Sequence, residues 1–186
     1  MKQDSMIKMG LVLLAICACA GLLLGIAYES TADMIAQKKE AVNQAAYQRV
    51  LPDAGELSSQ EVVEEESDIL EVYASEKGYA IKVLAKGYAG DDLELAVGIN
   101  KEGTVTGVQI ISHAETPGLG AKATEAAFLD QYVEKSTENE LIVTKTGAIQ
   151  DNEIDAITGA TKTTNGVTKG VNRAFEYFNS YLKEAP

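Results

Sequence analysis

From Met9 to Tyr28 the chain reads MGLVLLAICACAGLLLGIAY, a run of 20 residues without a charge. That matches the roughly 20 residues a helix needs to cross a bilayer core. Lys2 and Lys8 precede the run, and Glu29 and Asp33 follow it. Positive charge on the N-terminal side predicts residues 1–8 in the cytoplasm, a transmembrane helix over 9–28, and all that follows outside the cytoplasm. A cleaved signal peptide would have a shorter apolar run and a small-residue cleavage site with polar sequence beyond. Lipidation at Cys19 would leave the apolar stretch Ala20–Ala27 as a linker, which fits mid-helix sequence poorly. The uncleaved anchor is the preferred reading, with Cys17 and Cys19 as small apolar helix residues.

Glu29–Leu51 has no Pro or Gly and is rich in Ala, Gln, Lys and Glu. A helix continuing from the membrane and stopping before Pro52 is expected. Asp53–Asp68 contains EVVEEESD and reads as a solvated connector. Residues 29–68 are therefore expected to form helix and acidic connector, and residues 69–186 the folded domain. The period then changes to two. Ile69–Ala74 is apolar-rich. Tyr79, Ile81, Val83 and Ala85 alternate with Ala80, Lys82 and Leu84, and Leu93, Leu95, Val97 and Ile99 alternate with Asp92, Glu94, Ala96 and Gly98. This alternation predicts strands with one buried face. Asn100-Lys101-Glu102-Gly103 supplies turn residues, and Thr104–Ser112 is the return strand of a hairpin. Further elements expected are a helix over Ala121–Lys135, a strand over Glu140–Lys145 and a closing helix over Thr163–Lys183. That last helix places Val167, Val171, Ala174, Phe178 and Leu182 on one face. Short loops between neighbouring strands predict a mainly antiparallel sheet with flanking helices, hence an α+β fold.

Composition narrows the chemistry. Of 186 residues, 28 are acidic and 16 basic, for a net charge of −12. That balance argues against nucleic-acid binding as the main task. Two cysteines and one histidine exclude a disulfide framework, an iron–sulfur cluster, and a Cys-rich or all-His metal site built by this chain alone. A redox centre would have to be borrowed.

Two segments interrupt the periodic pattern. His113-Ala114-Glu115-Thr116-Pro117-Gly118-Leu119-Gly120 lies between a strand and a helix. Its glycines permit positive φ or close approach to a ligand, and Pro with Gly also suffices for a plain turn. Asp155-Ala156-Ile157-Thr158-Gly159-Ala160-Thr161-Lys162-Thr163-Thr164 precedes the last helix. A helix N-cap accounts for one of its four threonines. Hydroxyls and small residues at a helix start also suit a phosphate. No Walker-type phosphate loop is present.

DAITGATKT resembles the flavinylation motif of the FMN-binding domain family: Asp, two residues, Ser or Thr, Gly, Ala, Thr, one residue, Ser or Thr. HAETPGLG resembles the family's second signature, and the run from Gly87-Tyr88-Ala89-Gly90 through the hairpin to Gly120 is also similar to it. With the anchor helix, the chain is similar over nearly its whole length to the family branch that supplies the G subunit of Rnf-type ion-translocating electron-transport complexes. The acidic connector is the least informative part.

The resemblance implies covalent FMN, joined through its phosphate to Thr161 by a flavin transferase that takes FAD. It implies that Thr158, Gly159, Ala160 and Thr163 line the phosphate end, and that Glu115, Thr116, Gly118 and Leu119 lie near the isoalloxazine ring. His113 lies nearby without an assigned role, as does Lys162 at the motif's variable position. Tyr88 is either a ring-stacking residue or a buried strand-end tyrosine. Near Thr161 in sequence the only evident base is Asp155, and an unactivated threonine hydroxyl is a poor nucleophile, so activation by an external enzyme is expected. The implied function is a tethered electron relay between ferredoxin and NAD within an ion-translocating complex of membrane and peripheral subunits. It would not catalyse turnover alone. Three alternatives stand beside it: the C subunit of the sodium-pumping NADH:quinone reductase, an extracytoplasmic flavoprotein outside any ion pump, and a non-redox anchored binding module.

Overall fold

The computed structural model describes residues 2–63 and 66–183. Helix α1, Lys2–Val50, is unbroken. It belongs to two units: residues 1–42 form the first, and a second, compact unit begins at Asn43. In the first, Leu11, Leu13, Leu14, Leu22, Leu23 and Leu24 are all exposed. So much apolar surface on one helix is unfavourable in water and suited to lipid. At 1.5 Å per residue, the uncharged run spans about 30 Å, the thickness of a hydrocarbon core. The chain is thus anchored by one N-terminal apolar helix.

The second unit is built on a five-stranded antiparallel meander. Its strands are β1 (Ser58–Gln60), β2 (Ile69–Ala74), β3 (Gly78–Lys86), β4 (Asp92–Asn100) and β5 (Val105–Ser112). The β4–β5 turn forms as its residues dictate. The Gly103 N–H donates to the Asn100 carbonyl, and the Asn100 side chain accepts from the Thr104 N–H at 2.8 Å. One sheet face carries Ile81, Val83, Leu93, Leu95, Val97, Ile99, Val108 and Ile110, all in one buried cluster. Helix α3, Thr161–Tyr177, covers this face with Val167, Val171, Ala174 and Phe175. Each large apolar side chain so buried contributes about 1.5–3 kcal/mol. A π-helical turn, Phe178–Leu182, completes the element with Phe178 buried.

Several sequence expectations change in three dimensions. The alternation in β3 and β4 predicted one buried face, yet Ala80, Lys82 and Ala96 on the opposite face are buried too. They lie under the last turns of α1, where Ala46, Tyr47 and Val50 pack. The segment 53–68 is not wholly a solvated connector. It contributes β1, Val62 and Val63 pack against the core, and Glu66 forms an ion pair with Arg173. Strand β1 is three exposed polar residues paired with β2 through the backbone, so hydrophobic periodicity carries no sign of it. The helix expected over Ala121–Lys135 is three short pieces: a 3₁₀ turn Gly120–Thr124, α2 at Ala126–Leu129, and a 3₁₀ turn Asp130–Tyr132. Glu125, in extended conformation, breaks the run. The strand expected at Glu140–Lys145 shortens to β6, Ile142–Thr144, which pairs in parallel with an unforeseen β7, Glu153–Asp155. Helix α3 begins at Thr161, two residues earlier than expected.

Candidate functional site

The two interrupting segments meet at the N-terminal end of α3. Strand β5 delivers the 113–120 loop, and β7 delivers the 156–160 turn. Glu115 joins them. Its Oε2 accepts the Thr163 hydroxyl at 2.8 Å, and its Oε1 accepts the Tyr88 N–H at 2.7 Å from the β3–β4 loop. One half-buried carboxylate therefore ties three segments distant in sequence. The Glu115 N–H donates to His113 Nδ1 at 3.2 Å, so the exposed histidine steadies the loop. Gly120 lets the carboxylate in, because a Cβ there would collide with Glu115 and with the Thr163 hydroxyl. Gly118 has φ +77°, a conformation glycine adopts without strain, and a Cβ there would meet nothing within 4 Å.

The threonines divide their tasks. Thr163 and Thr164 are buried. Thr164 Oγ1 accepts the Ile157 N–H at 3.1 Å and donates to the Ala160 carbonyl at 3.1 Å, locking the turn onto the helix. Thr158 and Gly159 are both exposed at the rim. Thr161 is half-buried in the first turn, and its hydroxyl has no partner among the described residues. No threonine caps the helix: the N-cap is Ala160, without a side-chain cap bond. The first-turn N–H groups of Thr161, Lys162 and Thr163 have no acceptor among the described residues. Three unsatisfied donors at the positive end of a helix dipole fit a phosphate group. Beside them Leu119 is 49 % exposed, and its side chain lies over Gly159. The site thus offers an anion cradle and an apolar platform side by side.

Thr116 closes the loop through its backbone, its carbonyl accepting from the N–H groups of Leu119 and Ala121. Asp155, the only base suggested by sequence, ends β7, where its N–H donates to Gln131 Oε1 at 2.8 Å; among the described residues no hydrogen bond links it to a threonine. Tyr88 is neither buried nor on a strand. It is 62 % exposed in the β3–β4 loop, with Lys162 Nζ 5.3 Å from its ring centre. The part played by the Tyr88 backbone could not be read from the GYAG run alone, because its partner lies 27 residues away. Beneath α3, the Tyr132 hydroxyl meets Thr168 Oγ1 at 2.8 Å. Burial raises its pKa beyond the ordinary tyrosine range despite that bond, so it stays protonated.

Residues 87–176 match the FMN-binding domain family. Over 95 % of its length the chain is 37 % identical to the G subunit of the Na(+)-translocating ferredoxin:NAD(+) oxidoreductase complex of Acetobacterium woodii, covering 93 % of that protein. It is 33 % identical to the proton-translocating counterpart of Clostridium ljungdahlii, over 96 % of this chain and 95 % of the relative. The chain belongs to the G-subunit family of ion-translocating oxidoreductase complexes. Its fold is also that of the C subunit of the Na(+)-translocating NADH-quinone reductase from Parabacteroides distasonis. That crystal structure superposes with a TM-score of 0.55 at 19 % identity, covering 79 % of this chain and 94 % of the other. The residues present fit the family's cofactor: the uncapped start of α3 leaves N–H donors for a phosphate, and Leu119 exposes apolar surface beside them.

Proposed function

We infer that this chain is the membrane-anchored, FMN-carrying subunit of an ion-translocating ferredoxin:NAD oxidoreductase, acting as a fixed electron relay beside the other subunits of the complex. The observation that carries this reading is the Glu115 bridge, which fastens the HAETPGLG loop to the Thr-rich helix start. FMN would be held at both ends. The N–H groups at the start of α3 would bind its phosphate, with Thr158, Gly159, Ala160 and Thr163 shaping that end. Thr116, Gly118 and Leu119 would lie along the ring, with Glu115 fixing their loop. Bound there, FMN supplies the one- and two-electron chemistry. The protein's share is to hold and orient it.

The attachment we propose is a phosphoester at Thr161 Oγ1, made by a flavin transferase, since no base among the described residues hydrogen-bonds to that hydroxyl. Thr161→Ala removes the ester oxygen. At a half-buried position with no hydroxyl partner, it should alter stability by only about 0.5 kcal/mol. With a flavin transferase co-expressed, the wild-type chain should gain the mass of FMN minus water and fluoresce on a denaturing gel. Thr161→Ala should be folded and dark. A fluorescent Thr161→Ala chain would place the bond elsewhere.

Lys2 and Lys8 favour a cytoplasmic N-terminus, so the flavin domain would stand on the outer face. Protease added to spheroplasts should remove it, and complete protection would reverse the orientation. The NADH:quinone reductase alternative shares the fold, but the whole-length relatives favour the ferredoxin:NAD complex.

A further inference from the structure

Alongside the flavin motif, α3 and the β3–β4 loop enclose an open groove of about 630 Å³. Its walls carry Lys86, Lys162, Lys169 and Arg173, with Asp68 as the acidic residue in the lining. On a chain of net charge −12 this is a local inversion of sign. Two of the four cations are already compensated. Lys86 pairs with Asp92, and Arg173 pairs with Glu66 and Glu176. Lys169 has no ion pair among the described residues, and Lys162 lies over the face of Tyr88. Gly166 lets α3 approach the end of β3 along the groove, since a Cβ there would collide with the Lys86 carbonyl.

Spacing decides what such a groove can hold. Lys162 and Lys169 lie on one stripe of α3, about 10 Å apart along the axis at 1.5 Å per residue. A single phosphate or carboxylate would engage both ammonium groups only by drawing the two long side chains together. Two acidic side chains on one polypeptide segment can engage them at that spacing. Tyr88, exposed at the rim, is the kind of amphipathic aromatic that anchors protein interfaces. Its N–H bonds the same Glu115 that bonds Thr163, so an occupant of the groove would sit next to the flavin motif. We propose that this groove docks an acidic polypeptide segment of the electron-transfer partner, held by Lys162, Lys169 and the Tyr88 ring. The proposal rests on the flavin assignment above for the nature of the partner. A small, charge-steered contact suits a transient electron-transfer encounter.

The test uses the full chain in detergent micelles with a fluorescein-labelled poly-glutamate peptide as probe, read by anisotropy at low and high salt. Lys169→Glu, two turns from Thr161, and the double variant with Lys162→Glu should weaken binding, the double by at least about tenfold. Added salt should weaken wild-type binding steeply. Lys101→Glu, at the opposite end of the sheet, should bind as wild type. Equal binding by all variants overturns the proposal, as does displacement of the peptide by ATP at lower concentration than by unlabelled peptide, which would assign the groove to nucleotides. In the assembled complex, Lys169→Glu should slow reduction of the flavin at low salt while flavin content and spectrum stay unchanged. An unchanged rate despite lost peptide binding overturns the partner's identity. A wild-type chain that stays without flavin when co-expressed with a flavin transferase, but shows the same peptide discrimination, would refute the relay function and leave the docking surface standing.

Discussion

On one face of the sheet, α3 lays Val167, Val171, Ala174 and Phe175 against Ile81, Val83, Leu95 and Val97, in one continuous apolar cluster. On the other, the end of α1 lays Ala46, Tyr47 and Val50 over Ala80 and Ala96, beside a buried cation. Lys82, 2 % exposed, has its Nζ 3.0 Å from Glu94 Oε2, 3.3 Å from Glu71 Oε1 and 3.4 Å from Asn43 Oδ1. The Tyr47 hydroxyl donates to Glu71 Oε2 at 2.8 Å. Buried area stabilises the first face, and area is indifferent to small slides. The second face is smaller and directional: a helix shifted by one residue would move Asn43 and Tyr47 off their partners. The face away from the flavin motif therefore carries the polar network, and it fixes where the end of α1 sits. The candidate site stands at the edge of the apolar face, where Glu115 links its own loop to the β3–β4 loop and to the first turn of α3.

Breaking the polar face should have the largest effect on stability. Lys82→Met leaves Glu71 and Glu94 without their buried counter-charge, a loss of about 3–5 kcal/mol where both carboxylates are sealed. Glu71 is 32 % exposed and can recover some hydration, so the lower end is expected. Adding Glu71→Gln and Glu94→Gln should restore much of the loss in urea unfolding. If the single and triple variants unfold alike, packing alone holds the helix end.

Next comes the approach of α1 to the sheet. A Cβ on Gly98 would collide with the Val50 carbonyl, so Gly98→Val should cost about 1–3 kcal/mol through overpacking. Flavin content at saturation should be unchanged, because the site lies on the other face. Loss of flavin from a folded Gly98→Val chain would show that the two faces are coupled.

The smallest effect on stability belongs to the site itself. Glu115→Ala removes two hydrogen bonds at a half-buried position, worth about 1–2 kcal/mol together. Its effect on flavin incorporation should be larger than that of either change on the opposite face. A Glu115→Ala chain that loads flavin like wild type would reduce the bridge to a loop tether.

Much was legible in the sequence because it is local. An uncharged run long enough for a bilayer, period-two strands, the Asn100–Gly103 turn and the apolar stripe of α3 each follow from neighbouring residues and backbone geometry. Both segments that meet at the start of α3 were visible as interruptions of those periods, and their family likeness supplied the expected chemistry. The burial of the sheet's second face was not legible. Lys82 occupies the position an alternating strand gives to solvent, and only the return of the α1 end over Ala80 and Ala96 makes it a core residue. The division of labour among four threonines was equally hidden, since a hydroxyl's partner is set by what folds against it. Thr163 meets Glu115 across 48 residues, while Thr161 is left with none among the described residues. Spacing along the chain determined which groups were present at the site. Contacts between distant segments decided which were occupied in holding the fold and which remained available for a ligand.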